Sequence, residues 1–236
     1  MERSRAADKG LRPLALQGYV ASMGVTPSVT EQVMKLFTRA GSCSLASNIS
    51  LREAGIAFDL VKVSRHDGKT SEGVAFIDIN SKGYVPALQL DNGELLTENA
   101  ALLQYIGDLN PAAKLVPPVG TLERYRLNEW LAYINSEIHK AYSPLFYPNA
   151  TEAMKDYARA NLTKRVGWLA EKLGSKPYLM GEQFTVADAY LFVVLSWSVH
   201  VKFDLTPWPN LLAFQERVGA RPYVIEALET EGLRKK

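Results

Sequence analysis

Apolar residues recur with two different rhythms along this chain, and the change falls near residue 110. Before it, short apolar runs are broken by turn residues, so strands and helices follow one another. Residues 35–38 read as a strand and residues 45–54 as a helix, with Gly55 closing it in the C′ position. Residues 58–63 alternate at period two, a second strand, and residues 64–73 are polar and loop-like. Two short apolar runs, 87–90 and 94–96, flank Asp91-Asn92-Gly93, a strong hairpin signal. Residues 98–109 read as a helix stopped by Asn110-Pro111. Pro111, Pro117, Pro118 and Gly120 mark a linker. Beyond it the pattern is helical. Leu127, Leu131, Ile134, Ile138, Ala141 and Leu145 recur at three- and four-residue spacing across 121–145. Residues 151–173 form a second long amphipathic stretch, 186–199 are almost wholly apolar, and 209–220 and 222–229 are shorter helices opened by proline.

Strand, helix, strand, hairpin and helix is a thioredoxin-like order. The expectation is therefore an α/β thioredoxin-like N-terminal domain over residues 34–114 and an all-α helical bundle C-terminal domain over residues 120–236. Residues 1–33 differ from the rest. They are charged and small at first, then loosely apolar with Pro13, Gly18, Gly24 and Pro27. No compact apolar core and cleavage site make them a secretory signal, and Glu2 and Asp8 count against a transit peptide. They are expected to be a flexible extension outside the fold, or the product of an upstream start with Met34 as the working one.

Composition narrows the function. The 236 residues hold 27 Lys+Arg against 25 Asp+Glu, a balance that argues against a nucleic-acid surface. No apolar run approaches the ~20 residues of a membrane span. One cysteine cannot make an internal disulfide, so a reducing, cytoplasmic compartment is the default. That cysteine, Cys43, stands where the first strand hands over to the first helix. Unpaired N–H groups at such a helix start favour a thiolate. His66, His139 and His200 show no ligand-like spacing with it, and no metal site is expected.

Four other features admit two readings or one. In Gly83-Tyr84-Val85-Pro86-Ala87-Leu88, Pro86 is either a plain strand-start proline or a cis turn. The second leaves the Val85 N–H and C=O free to pair with a bound peptide. Thr97 is a plausible N-cap before Glu98-Asn99. Glu98 either complements the helix dipole or meets a substrate ammonium, with the Asn99 N–H holding a carboxylate. His139 lies off the apolar stripe, either solvated or facing the first domain to tune a thiol there. Thr185 and Asp188 have the form of a capping box, a structural role.

These features, taken with several further segments, resemble the glutathione S-transferase family, most closely its bacterial beta class, across essentially all of residues 34–236. The carrying segments are Met34 to Phe37, Gly41 to Leu45, Asn80 to Leu88 and Leu90 to Glu98. In the second half they are Glu129-Trp130-Leu131, Glu137 to Lys140, Phe184 to Phe192 and Arg221-Pro222. The resemblance implies a cytosolic glutathione transferase architecture, a homodimer, and glutathione as co-substrate. By the same resemblance Cys43 sits beside the glutathione sulfur, where a mixed disulfide can form. Val85 pairs with the cysteinyl backbone ahead of a cis Pro86. Glu98 and Asn99 hold the γ-glutamyl end, and Ser136 and His139 reach the thiol region. Three positions depart. The lysine that grips the glycine end in relatives aligns with Gly68, so Lys69 is the candidate replacement. An asparagine that crosses the dimer is Ala132, and a tyrosine near the first strand's end is Thr38.

The expected mechanism keeps the glutathione thiol anionic at the start of the first helix with help from His139. The thiolate then attacks a small apolar electrophile in a cleft whose candidate walls are Tyr142 and Phe146. Two alternatives stand beside this transferase. One is a glutathione-dependent thiol–disulfide reductase or peroxidase, suggested by Cys43. The other is a non-catalytic binder of apolar ligands, suggested by Gly68 and Ala132.

Overall fold

The computed structural model describes residues 33–235, so the reading of the N-terminal stretch as an extension lies, apart from Val33, outside the described residues. Four strands form one mixed sheet in the order β2-β1-β3-β4. They are β1 (Lys35–Thr38), β2 (Asp59–Lys62), β3 (Ala87–Gln89) and β4 (Leu95–Thr97). β1 runs parallel to β2 and antiparallel to β3, which is antiparallel to β4. Strand alternation sends Leu36 and Leu88 to one face and Phe37, Val61 and Ala87 to the other. The first face packs on helix α1 (Ser44–Glu53) and α3 (Asn99–Leu109) and merges with the core of the C-terminal half. A one-turn helix that the sequence pattern did not signal, α2 (Phe76–Ile79), covers the second face with Phe76.

Helix α1 ends as its sequence demands. Gly55 has φ +67, its N–H meets the Arg52 carbonyl at 2.9 Å, and the Ile56 N–H meets the Leu51 carbonyl at 3.0 Å. That pair of bonds is a Schellman motif, and it satisfies carbonyls the helix leaves open.

The linker is packed rather than free. Leu115 is buried, and its carbonyl accepts from the Val186 N–H at 3.1 Å. Val116 lies against Gly107 of α3, so closely that a Cβ there would overlap it. Arg124, buried near the start of α4 (Leu122–Tyr133), donates to the Pro117 carbonyl at 3.0 Å and pairs with Asp108. A cavity of about 870 Å³ opens beside this linker; it shares no lining residue with the Cys43 cleft.

The long helical pattern over 121–145 is one run with a defect in it. α4 passes into a π-helical stretch, Ile134–His139, and then α5 (Lys140–Phe146). The wider turn shifts the facing by about one residue. Leu127, Leu131, Ile134 and Ile138 are buried as expected, Ala141 and Leu145 are partly buried against the core, and Tyr142 is fully buried beside them. α6 (Glu152–Leu173) packs against α5. α7 (Val186–Ser196) is buried along ten consecutive residues and is the axis of the bundle. α8 (Ser198–Val201), α9 (Pro209–Gly219) and α10 (Pro222–Glu231) complete it.

Asp188 anchors α7. It is fully buried, and its carboxylate accepts from the Thr185 N–H, the Thr185 hydroxyl and the Leu179 N–H, each at 2.8 Å. The Thr185 N–H bond is one arm of the capping box expected of Thr185 and Asp188, and the Thr185 side chain accepting from the Asp188 N–H is the other. Burial nevertheless pushes the Asp188 carboxyl up to about 6, because the donors offset only part of the lost hydration.

Candidate active site

Cys43 is the N-cap of α1, two residues past Gly41 of the preceding turn. The C-terminal half of the chain holds that turn from two sides. The Trp197 Nε1 donates to the Gly41 carbonyl at 2.9 Å, and the Gly41 N–H donates to Glu231 Oε2 at 3.0 Å. Glu231 Oε1 also accepts from Thr38 Oγ1 at 3.0 Å and Asn48 Nδ2 at 3.1 Å. A carboxylate at the end of α10 therefore braces the loop that carries the thiol.

Around Cys43 lies a cleft of about 310 Å³ between the two halves, small but within the range of ligand sites. Cys43, Val85, Pro86, Glu98, Asn99 and His139 all line it, six of the residues the resemblance implied. The Val85–Pro86 peptide bond is cis. Cys43 Sγ donates to the Val85 carbonyl at 3.3 Å, and among the described residues the Val85 N–H has no acceptor. Glu98 precedes α3 with φ +70, a conformation that side chains tolerate poorly, and its carboxylate pairs with Lys82 Nζ at 2.7 Å. Asn99 Oδ1 accepts from Ser47 Oγ at 2.8 Å, and its Nδ2 donates to the Cys43 carbonyl at 3.2 Å. Thr97, expected as the N-cap of α3, belongs instead to β4, and Glu98 occupies the cap position without a side-chain cap bond.

The thiol itself corrects the expectation of a thiolate at this helix start. Part of the Cys43 surface reaches the cleft, yet loss of water around the sulfur pushes the thiol up to about 12; backbone N–H groups and Lys140 oppose this without overcoming it. Cys43 is a neutral donor here. His139 is half-buried rather than solvated. Burial first, and then the Lys140 charge, lower its imidazole to about 4, so it is neutral at physiological pH. Its Nδ1 lies 2.7 Å from the Tyr190 hydroxyl, which donates to Asn135 Oδ1 at 3.0 Å.

Two implied contacts are not brought to the cleft. Lys69 lines a separate basic hollow with Arg39, Lys62, Arg65 and His66, and Ser136 is exposed on the π-helical stretch outside the cleft lining. The wall residues also change. Tyr142 is buried in the core with its hydroxyl 2.6 Å from Ser198 Oγ, and burial pushes that phenol up to about 12. Phe146 packs edge-on against Trp197 and is not in the lining. Tyr84, Tyr147 and Tyr190 are the aromatic residues that are. Sequence reasoning missed Lys82, Lys140 and Tyr190. Tyr190 had a usable signal, since a phenol inside an otherwise apolar helix needs a buried partner.

A thiol-bearing helix start, an amide without an acceptor among the described residues and an acidic residue at a second helix start come together on a thioredoxin-like domain, with an attached helical domain closing one side. The comparisons agree. Residues 32–108 match the family model for the glutathione S-transferase N-terminal domain, and residues 130–222 the model for the C-terminal domain. The chain is 45% identical over 201 residues to the glutathione S-transferase GstA of Escherichia coli O157:H7, covering 85% of this chain and all of that protein. It is 44% identical, with a TM-score of 0.82, to a sphingomonad glutathione S-transferase solved with glutathione, and 48% identical, also at 0.82, to the bacterial beta class enzyme of Sphingomonas chungbukensis. Each alignment covers 85% of this chain and the whole of the other. The chain belongs to the glutathione S-transferase family.

Proposed function

We propose that this protein is a glutathione transferase that joins the glutathione thiolate to small apolar electrophiles, with the Cys43 cleft as the tripeptide site. What carries the reading is the set of complementary groups around that one cleft. The Val85 N–H supplies a strand-like partner for the cysteinyl backbone. Glu98 suits the γ-glutamyl ammonium, and the α3 start with its Asn99 N–H suits the adjacent carboxylate. Lys82 and Lys140 supply positive charge for carboxylates, and stand in for Lys69 in this reading. The neutral Cys43 thiol turns its one proton from the Val85 carbonyl to the tripeptide sulfur, and His139 is the group that takes the tripeptide's own sulfhydryl proton. Holding the sulfur as thiolate at neutral pH is worth about 1.4 kcal/mol for each pKa unit of lowering.

The domain division at residues 34–114 and 120–236, a homodimer and a cytoplasmic location belong to the same reading. The single cysteine, which has no partner in the chain for a disulfide, supports the location. The reductase alternative keeps one specific observation, a lone thiol that lines the tripeptide cleft. The test is retention on immobilised glutathione, followed by turnover of an aryl halide and of a glutathione mixed disulfide. Retention with aryl-halide turnover supports the transferase. Turnover of the disulfide alone favours the reductase, and no retention favours a ligand binder.

A further inference from the structure

His139 has two ring nitrogens, and only one of them is engaged. Its Nδ1 contacts the Tyr190 hydroxyl at 2.7 Å, while among the described residues Nε2 has no hydrogen-bond partner. We propose that Tyr190 is a positioning residue that holds His139 as the Nδ1–H tautomer and so presents an unprotonated Nε2 to the tripeptide sulfur. The inference deepens the proposed function and rests on His139 acting at that sulfur.

Proton count fixes the direction of each bond. A phenol has a single proton. The Tyr190 hydroxyl donates it to Asn135 Oδ1 at 3.0 Å, so the bond to Nδ1 must be donated by the imidazole. Asn135 and His139 stand four residues apart within the π-helical stretch, and both reach Tyr190 in the middle of α7. Tyr190 is fully buried, which denies its oxygen ready exchange of these partners for water. Burial also raises the phenol well above its ordinary value, so the hydroxyl keeps its proton throughout the working range. Trp197 packs edge-on against the imidazole at 4.8 Å, with 72° between the planes, and this restricts ring rotation. Together these contacts fix both the orientation and the tautomer.

Proton transfer then balances simply. The sulfhydryl proton of the bound tripeptide passes to Nε2, the Nδ1–H stays on the Tyr190 oxygen, and a thiolate–imidazolium pair replaces a neutral pair. The titratable groups facing this pair are Cys43 at the α1 start, Glu98 at the α3 start, Lys82, Tyr84, Lys140 and Tyr147 from the cleft walls, and Tyr190 itself.

The test uses the full chain with isotope-labelled histidine. His66, His139 and His200 give three sets of ring signals in a long-range proton–nitrogen correlation, and His139→Gln identifies its own set by loss. The expected result at neutral pH is a protonated Nδ1 and a bare Nε2 on His139. Tyr190→Phe should release that preference, raise the Nε2–H population and lower kcat/KM about 10- to 100-fold, a small part of a general base's full effect. Asn135→Ala leaves Tyr190 in place and frees its proton to turn toward Nδ1, so it should move His139 to the Nε2–H form; this holds even where Tyr190→Phe folds poorly. An Nε2–H tautomer in the unmodified protein, or no change in Asn135→Ala, overturns the inference. Normal turnover by His139→Gln sinks instead the role of His139, while the tautomer result still stands or falls by itself.

Discussion

Because Cys43 is the chain's single sulfhydryl, its reactivity reads out one site without ambiguity. Two forces compete there. The helix start favours a thiolate by at most ~2 kcal/mol, whereas burial prevails and leaves the thiol raised from 9.0 to about 12. A rise of this size is about 4 kcal/mol, or about a 1,000-fold smaller thiolate fraction near neutral pH. A more basic thiolate is also a better nucleophile, with a Brønsted slope of roughly 0.45, which returns about 20-fold. The net expectation is alkylation about 50-fold slower than for the same chain unfolded in urea. The assay is the pseudo-first-order rate of iodoacetamide addition, followed by intact mass from mildly acidic to strongly alkaline pH. The rate should climb tenfold per pH unit with no plateau below pH ~10. A plateau near neutrality, or a folded rate at or above the unfolded one, would refute the claim that burial outweighs the helix start.

Further outcomes follow from other parts of the molecule. Asp188→Ala should cost about 3–5 kcal/mol in urea unfolding, since the Leu179 and Thr185 donors lose their buried acceptor, with little change in turnover per folded molecule. His139 is held near 4 in the folded chain against 6.5 unfolded, so its contribution to stability is full above pH 6.5 and is lost as pH falls toward 4. The difference in unfolding free energy between the unmodified protein and His139→Gln should therefore shift by about 3 kcal/mol across that window. Taking the difference removes the contribution of Asp188, which runs the opposite way: its raised carboxyl favours folding at low pH and that advantage fades as pH rises toward 6. Gly107→Ala should destabilise by about 1–3 kcal/mol despite better helix propensity, and Val116→Ala should recover part of it, as measured by thermal melting. Cys43→Ala should largely keep aryl-halide conjugation and lose thiol–disulfide exchange; loss of both would make the sulfur essential.

Much of the architecture was legible because local signals and tertiary demands coincide. Lys35–Thr38 forms a strand with the bounds its pattern gives, and Gly55 ends α1 where a positive φ was needed. Asp188 announced its role by standing three residues after Thr185 at the head of an apolar helix. What stayed hidden depended on geometry that no periodicity encodes. The π-helical stretch at Ile134–His139 turns the following residues, so Tyr142 entered the core and the cleft wall passed to Tyr147. His139 does lie off the buried stripe, and of its two readings the structure has the one in which it faces the first domain. Cys43 was misjudged in charge because helix position is visible in sequence and desolvation is not. Lys69 sits one residue from the aligned position, but the β2–α2 loop turns it into a different hollow. Glu231 and Trp197 brace the Gly41 turn from far along the chain, and only folding brings them there.

The most direct measurement is a pH titration of glutathione bound at saturation, reading the ultraviolet band of the thiolate by difference against protein alone. Binding should be saturable, with a thiolate that forms at least one pH unit below that of the free tripeptide, an advantage that disappears in His139→Gln. Binding with an unshifted thiol, or no saturable binding at all, would contradict this expectation.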